Sequence, residues 1–248
     1  MLRQLLSLTL LCLAASVAAQ NGRAVYESST AIDIDPADLP PGMEAAALDL
    51  PTSFDTRAEL LFSADASLYR DLVPEPAPEP EGPRADRPQV KFVGKSPEAY
   101  HFERAGGRVR QARSVLGKPF HVEDDALALD WRETGATGTD AVTGLPTRAA
   151  TAVHPDGDTV YADYTPSVAV PYGPSEYTGL PGLIVRLRKG RTTVQLQALD
   201  LLDAPPAIQV PEPDGKTLTR ERFLALRERK QAALMRQASG PRTTVIRQ

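Results

Sequence analysis

Cysteine is almost missing from this chain of 248 residues, since its only thiol is Cys12. That residue lies in an apolar N-terminal segment that we predict to be removed, so the mature chain is expected to contain no cysteine. A disulfide framework, a thiol nucleophile and a sulfur-ligated metal are thereby excluded for the mature chain. Stability must then come from an ordinary hydrophobic core, and about 230 residues suffice for one domain, or for two.

Long apolar runs are also missing beyond the N-terminus. The chain begins with Arg3 ahead of an apolar stretch, Leu5 to Val17, which is followed by the small residues Ala18 and Ala19. This order of a charge, an apolar core and small residues predicts a signal peptide at 1–19. The apolar run is also too short to span a bilayer comfortably. We therefore expect an exported protein, periplasmic or extracellular, with no transmembrane segment in the mature chain.

Histidine is scarce as well. The chain has three, His101, His121 and His154, and none has a second ligand at the spacing of a metal motif. Asp156 and Asp158 follow His154 closely, but a turn explains all three residues more simply. We therefore predict no metal, no cofactor and no catalytic residue.

Recognisable catalytic motifs are equally missing. The sequence has neither a phosphate-binding glycine loop nor a nucleophile elbow. The carboxylates Glu123, Asp124 and Asp125 could serve acid–base chemistry or calcium, but they are more typical of an exposed acidic turn. Nucleic-acid binding is not expected, since the pI is about 5.5 and the basic C-terminus lacks interleaved aromatic residues.

Charge is distributed unevenly around a net value of -4. Residues 22–88 contain fourteen acidic and five basic side chains, whereas residues 216–248 contain nine basic and two acidic ones. Three interpretations stay open: two solvated surfaces, two ends that dock on each other, or a basic C-terminus that meets an anionic surface.

Twenty-three prolines and seventeen glycines predict many short elements separated by turns. Prolines are densest after Val73, and we predict an exposed insertion or loop at 74–88, with a proline-rich ligand for another domain as the alternative. A strand is predicted from Gly22, with Val25 and Ile32 as core contacts. The apolar stretch Ala58 to Tyr69 fits a helix or a strand by periodicity alone.

Three later segments predict β hairpins. They lie at 108–122, at 146–165 around the turn His154 to Gly157, and at 183–202 around Lys189 and Gly190. In the last of these, Leu183, Val185 and Leu187 alternate with more polar positions, which indicates an antiparallel sheet with one face in water.

One helix is predicted near the C-terminus. Thr217 or Thr219 can cap its first turn, and Gly240 with Pro241 ends it. Apolar residues recur at helical spacing, and they are Phe223, Leu226, Ala233 and Leu234. This stripe is expected to dock on the sheet; the alternative is peripheral membrane contact through the basic face of the helix.

The string GLPGLI at 179–184 resembles the signature of the GLPGLI family of exported bacterial proteins, which have no established function and are typical of Bacteroidetes. The resemblance continues in the order of neighbouring segments at 22–27, 64–69, 116–131 and 142–178. It implies a strand pair at 58–69 and a single domain over 20–238, followed by a tail at 239–248. Thr147 and Asp163 depart from the cysteine and tryptophan that many members carry, which puts a thiol mechanism or aromatic stacking there in doubt.

The motif itself predicts architecture rather than ligand contact. Glycine at 179 and 182 permits positive φ or close backbone approach, Pro181 fixes one φ, and Leu183 and Ile184 enter a buried strand. Leu180 is expected to be extended, because it precedes proline. We predict a chain reversal that leads into a core strand.

Aromatic residues close to the motif are the candidate ligand-binding residues. They could line a groove for lipid, peptide or sugar, or simply form a tyrosine-rich sheet packed against loops. The candidates are Trp131, Tyr161, Asp163, Tyr164, Tyr172 and Tyr177.

These observations predict a mainly β protein with a curved antiparallel sheet or incomplete barrel and a C-terminal α-helix. By analogy the architecture is like that of lipoprotein-carrier folds. The predicted function is a non-enzymatic binding or envelope-associated module for an apolar ligand, peptide or protein partner; the alternative is a hydrolase or other enzyme acting on envelope material. An apolar groove between sheet and helix would favour the first, and a cleft that unites His154, Asp163 and a tyrosine would favour the second.

Overall fold

The computed structural model describes residues 20–32, 52–72, 97–212 and 215–238. The predicted signal peptide at 1–19 with Cys12, the predicted proline-rich insertion at 74–88 and the predicted tail at 239–248 lie outside these residues.

The described chain is mainly β and ends in one α-helix, as the sequence predicts. Twelve strands form one open, curved sheet in the order β12-β6-β5-β4-β3-β2-β1-β11-β10-β9-β8-β7, in which β12 pairs with β6 in parallel and the other pairs are antiparallel. The strands are β1 (Asn21–Ala31), β2 (Ser53–Phe62), β3 (Ala66–Leu72), β4 (Ala99–Glu103), β5 (Arg108–Val115), β6 (Lys118–Asp125), β7 (Arg132–Thr139), β8 (Pro146–Val153), β9 (Thr159–Thr165), β10 (Leu183–Lys189), β11 (Thr192–Leu202) and β12 (Lys216–Leu218).

The three predicted hairpins are confirmed as β5–β6, β8–β9 and β10–β11. The β8–β9 turn is closed by two backbone bonds, from His154 N to Asp158 O at 2.9 Å and from Gly157 N to His154 O at 2.9 Å. The ambiguous stretch 58–69 divides between β2 and β3, so its assignment to a strand pair is confirmed too.

The core lies on the inner face of the curved sheet. The residues of β1 that face this core differ from those predicted. Ala24 and Tyr26 are buried, whereas Val25 and Ile32, the predicted core contacts, are only half-buried. Tyr26 faces the core, where its hydroxyl donates to the Ile184 carbonyl at 2.7 Å. Alternation along a strand then turns Val25 to the other face.

The helix α1 (Arg220–Ala238) docks through its first turns only. Asp124 Oδ2 accepts a hydrogen bond from the Arg220 backbone N at 2.9 Å and so caps the helix start. Phe223 is buried in a cluster with Phe120 and Val122 of β6, and its ring lies 6.1 Å from the Phe120 ring.

The rest of the predicted apolar stripe packs less tightly. Leu226 and Ala233 are half-buried, and Leu234 is exposed together with the basic face of the helix. Across the described part of the chain, no helix combines the length and the apolar character that crossing a membrane requires.

Candidate functional site

A cavity of about 460 Å³ lies between α1 and the inner face of the sheet. We call it the helix cleft. Its walls come from strands β5, β6 and β10, the β8–β9 turn, residues 176–177 and the first three turns of α1. Elements distant in the sequence therefore converge here, because the curve of the sheet brings the β8–β9 turn opposite β5 and the helix.

One wall of the helix cleft is apolar. Val122 and Phe223 are buried there, Leu127 is half-buried, and Tyr177 closes the far side. Phe223 faces inward because β12 runs parallel to β6 and places the start of α1 across that strand. An apolar wall beside a few polar groups is the usual composition of a ligand site.

Arg113 is the central cation of the cleft. Its side chain is 12% exposed, and Nε lies 3.2 Å from Oε1 of Glu98, which is 7% exposed. The guanidinium also lies 5.2 Å from the centre of the Tyr100 ring and 5.0 Å from that of Phe223, both within cation–π range. The alternation of β5 turns Arg113 inward, where two rings and one carboxylate hold it in place.

Gln111, two residues earlier on β5, faces the same cleft. Arg113 Nη1 donates to Gln111 Oε1 at 3.1 Å, whereas Gln111 Nε2 is buried without a hydrogen-bond partner. Gln111 is 1% exposed, so its amide lies away from the bulk solvent. A buried donor without an acceptor is uncommon in folded proteins.

The opposite side of the cleft holds a charged group of three residues. Glu176 Oε2 lies 3.5 Å from Arg220 Nε, and Glu176 Oε1 lies 3.8 Å from His154 Nε2. Ser175 precedes Glu176 with a φ of 57°, a left-handed conformation that few non-glycine residues adopt. This turn directs Glu176 towards α1, so residues 174–176 connect the helix to the β8–β9 turn.

The charges shift each other's protonation. The nearby Glu176 carboxylate raises the pKa of His154 above its ordinary value, against the effect of partial burial, and Asp156 Oδ1 at 2.8 Å adds to the rise. Burial alone would raise the pKa of Glu176, but His154, Arg220 and Arg113 lower it below its ordinary value. His154 and Glu176 therefore favour each other's charged form.

The folded protein should consequently be most stabilised by the His154–Glu176 pair at mildly acidic pH. The contribution of His154 is complete below its ordinary pKa of 6.5 and is lost as pH rises through the raised value. The contribution of Glu176 is complete above 4.5 and is lost as pH falls through the lowered value. The window between 4.5 and 6.5 is therefore the optimum of the pair.

Thermal unfolding of the wild type and of His154→Gln across this range measures the effect. The difference in melting temperature should be largest inside the window and shrink on both sides. A difference that stays constant with pH would show that His154 contributes by packing alone.

A second hollow of about 430 Å³ adjoins the helix cleft, since Tyr177 and Lys189 line both. Tyr69 and Tyr100 form its inner wall. Burial raises the pKa of Tyr69 and Tyr100 above the ordinary value of 10, so both hydroxyls stay neutral at physiological pH. The two hollows together give the inner face a continuous polar and aromatic lining.

The six predicted ligand-binding residues do not share one groove. Tyr177 lies in the helix cleft, whereas Tyr164 and Tyr172 are buried in the core, where Tyr164 bonds Glu133 and Tyr172 donates to the Ala64 carbonyl at 3.3 Å. Their hydroxyls thus have partners within the protein, as the alternative of a packed tyrosine-rich sheet supposes.

Tyr161 and Asp163 face the outer side of β9, away from the helix cleft. The guanidinium of Arg188 covers the Tyr161 ring at 4.5 Å, and Arg186 lies in the same surface depression of about 280 Å³. Asp163 therefore does not join His154 and Tyr177, although these two do meet, with ring centres 6.2 Å apart.

Trp131 lies against the bend at residues 179–184. Its Nε1 donates to the Thr178 carbonyl at 2.9 Å, and its indole lies 3.7 Å from the position a Cβ on Gly179 would occupy. Gly179 has a φ of 100°, which a side chain would strain. Trp131 thus covers the bend rather than the cleft.

The rest of the bend is packed against the core. A Cβ on Gly182 would lie 2.3 Å from the Thr165 carbonyl oxygen, so this position needs glycine for close backbone approach. Leu180, Leu183 and Ile184 are buried, and Pro181 is exposed. The geometry is that of a chain reversal leading into β10, and residues 179–184 do not line the helix cleft.

The residues that form the cleft's polar wall are not among those predicted from the sequence; they are Gln111, Arg113, Glu176 and Arg220. One signal was present: in β5 the inward positions are Val109, Gln111, Arg113 and Val115, where two polar residues interrupt an apolar face. Within the described ranges, no group of three or more His, Cys, Asp or Glu side chains is suited to hold a metal ion.

Comparison with solved structures shows similarity of fold. The structure of PNGF-II in a C2 space group has a TM-score of 0.52 and 14% identity, over 86% of this chain and 33% of that one. The P21 form of PNGF-II has a TM-score of 0.51 and 15% identity, over 86% and 34%. This chain thus spans about a third of the length of that protein.

No curated protein matches the chain. Residues 123–186 match the model of a family described as a protein of unknown function, Porph_ging, which is typical of Bacteroidetes. The matched segment runs from the end of β6 to the middle of β10 and includes His154, Glu176 and the bend at 179–184. This segment of the chain is therefore similar to an uncharacterised bacterial family.

Proposed function

We propose that the protein is an exported, envelope-associated binding module that holds its ligand in the helix cleft. Membership of the GLPGLI family and removal of a signal peptide at 1–19 are part of this proposal, as is a periplasmic or extracellular location. The observation that carries it is the cavity of about 460 Å³ between α1 and the sheet, with an apolar wall and convergent polar groups.

The size and composition of the cleft support binding. Ligand pockets typically have volumes of about 300–1,000 Å³ and combine apolar walls with few polar groups. Val122, Leu127 and Phe223 supply the apolar contact, while Gln111 and Arg113 supply directed donors. The ligand class favoured is thus a small molecule or short peptide with both apolar and polar parts.

Obstruction of the cleft tests this function. Leu224 is 40% exposed on α1 and lines the cleft, whereas Leu234 is 49% exposed on the same helix beyond it. Leu224→Trp should therefore fill the cleft without disturbing the core, and Leu234→Trp is the matched control.

Native mass spectrometry of protein purified from envelope extract provides the measurement. We expect a bound mass on the wild type and on Leu234→Trp, and its loss from Leu224→Trp. Equal retention by both variants would place the ligand elsewhere, and the absence of a bound mass from all three would contradict the binding function.

An enzyme acting on envelope material is the second candidate, favoured by the position of His154. The imidazole is half-buried beside the cleft, with Asp156 at 2.8 Å from Nδ1 and Glu176 at 3.8 Å from Nε2. Such an arrangement can orient an imidazole for general acid–base catalysis. Release of fragments from envelope extract by the wild type but not by His154→Gln would support this candidate over binding alone.

A further inference from the structure

The helix cleft contains hydrogen-bond donors that no acceptor satisfies. Three buried nitrogens without a hydrogen-bond partner belong to residues lining it: Gln111 Nε2, Arg113 Nε and Arg220 Nε. The two arginine nitrogens have electrostatic compensation, since they lie 3.2 Å and 3.5 Å from the carboxylates of Glu98 and Glu176. Gln111 Nε2 has none within the described residues. One donor of the polar wall, Gln111 Nε2, therefore needs an acceptor.

The orientation of the Gln111 amide follows from its neighbour. Arginine is only a donor, so the amide oxygen must face Arg113 Nη1, at the observed distance of 3.1 Å. The NH2 group then points away from Arg113, and rotation of the amide by half a turn would oppose two donors. The arginine thus leaves the NH2 group of Gln111 free to donate to a ligand.

The Arg113 guanidinium beside Gln111 favours an anionic acceptor at this place, whereas the cleft as a whole carries no excess of positive charge. Four arginine and lysine side chains line the cleft against three carboxylates, and Glu98 beside Arg113 and Asp158 beside Lys189 bring the carboxylates to five. Protonated His154 makes the two signs equal. A carboxylate accepts several hydrogen bonds at once and forms stronger ones than a neutral carbonyl does.

We propose, resting on the binding function above, that the ligand carries a carboxylate next to an apolar group. The carboxylate accepts from Gln111 Nε2 beside Arg113, and the apolar group lies against Phe223 and Val122. Two sources share this chemistry: the free C-terminus of a short peptide and a fatty acid.

Four probes distinguish a peptide terminus from a fatty acid and test whether the ligand needs a carboxylate. N-acetyl-phenylalanyl-leucine and decanoate carry the carboxylate, while the C-terminal amide of the same dipeptide and decanol lack it. Isothermal titration calorimetry with the full chain should give binding of at least one acid, about tenfold or more tighter than its neutral counterpart. Binding of the dipeptide acid alone identifies a peptide terminus, and binding of decanoate alone identifies a fatty acid.

Gln111→Leu tests the donor. It should weaken binding of the acid about tenfold and weaken binding of the neutral counterpart less, because a neutral oxygen accepts a weaker hydrogen bond. Gln197→Leu, at an exposed position of β11 outside the cleft, is the control and should bind as the wild type does. Because the measured quantity is discrimination between acid and neutral probe, a general loss of packing would not imitate it.

Three outcomes would overturn the proposal: equal affinity for acid and neutral probes, binding of none of the four, or full discrimination in Gln111→Leu. The first and third leave the binding function intact. The second does so too if the wild type carries a mass that Leu224→Trp lacks; without such a mass the binding function fails as well.

Discussion

Replacement of Arg113 by methionine is expected to lower the free energy of unfolding by about 3–5 kcal/mol, the range for removal of one partner from a buried ion pair. Glu98, at 7% exposure, would lose the guanidinium 3.2 Å away. Gln111 Oε1 would lose its donor, and Tyr100 and Phe223 would lose the cation between them. Methionine fills much of the volume, so the loss is chiefly electrostatic.

Arg110→Met is the matched control on the same strand. Arg110 faces the outer side of β5, where its Nε lies 3.6 Å from Glu123 Oε1, with the two side chains 38% and 41% exposed. An exposed pair contributes less than about 1 kcal/mol, so this variant should unfold close to the wild type. Urea unfolding of both variants provides the comparison.

A further substitution identifies the cause of the loss. If loss of the guanidinium beside the Glu98 carboxylate is responsible, Glu98→Gln in the Arg113→Met background should restore part of the lost stability. Equal stability of Arg113→Met and Arg110→Met would contradict the description of Arg113 as the centre of a buried network.

Gly182→Ala is expected to destabilise the protein by about 3 kcal/mol, the upper end of the range for overpacking. The added Cβ would lie 2.3 Å from the Thr165 carbonyl oxygen and 2.9 Å from Pro166 Cα. These are backbone atoms, so no side-chain rotation can relieve the clash. The bend would have to move away from the end of β9, and Leu183 and Ile184 would lose their buried positions.

Gly106→Ala separates this clash from the general effect of adding a methyl group. The nearest atom to a Cβ there is Arg108 Cγ at 3.2 Å, on a flexible side chain. Its effect should remain within about 0.5 kcal/mol in thermal or urea unfolding. Similar losses in both variants would mean that the approach of the bend to Thr165 is not a tight contact.

Much of the fold was predictable because its signals are local. The β8–β9 and β10–β11 hairpins follow from turn residues between alternating strands, and both are present. The buried face of β1 was not predictable, since Val25 and Tyr26 are both acceptable core residues. A hydrogen bond to Ile184, far along the chain, selected Tyr26.

The candidate site was predictable only in part. Tyr177 was identified as a ligand-binding candidate and lies in the helix cleft, and His154 was considered for chemistry and borders it. Tyr161 and Asp163 are near in sequence but face the outer side of the sheet. Adjacent positions on a strand point to opposite faces, so proximity along the chain does not imply a shared site.

The sequence by itself determined the β-rich class, the hairpins and the C-terminal helix, because turn chemistry, period-two alternation and helix capping act over a few residues. Only the tertiary structure decided that Gln111 and Arg113 meet Glu176, His154 and Arg220 across one cleft. Those residues come from a strand, two turns and a helix, and the curvature of the whole sheet sets the distances between them. Long-range packing, rather than local propensity, therefore created the site.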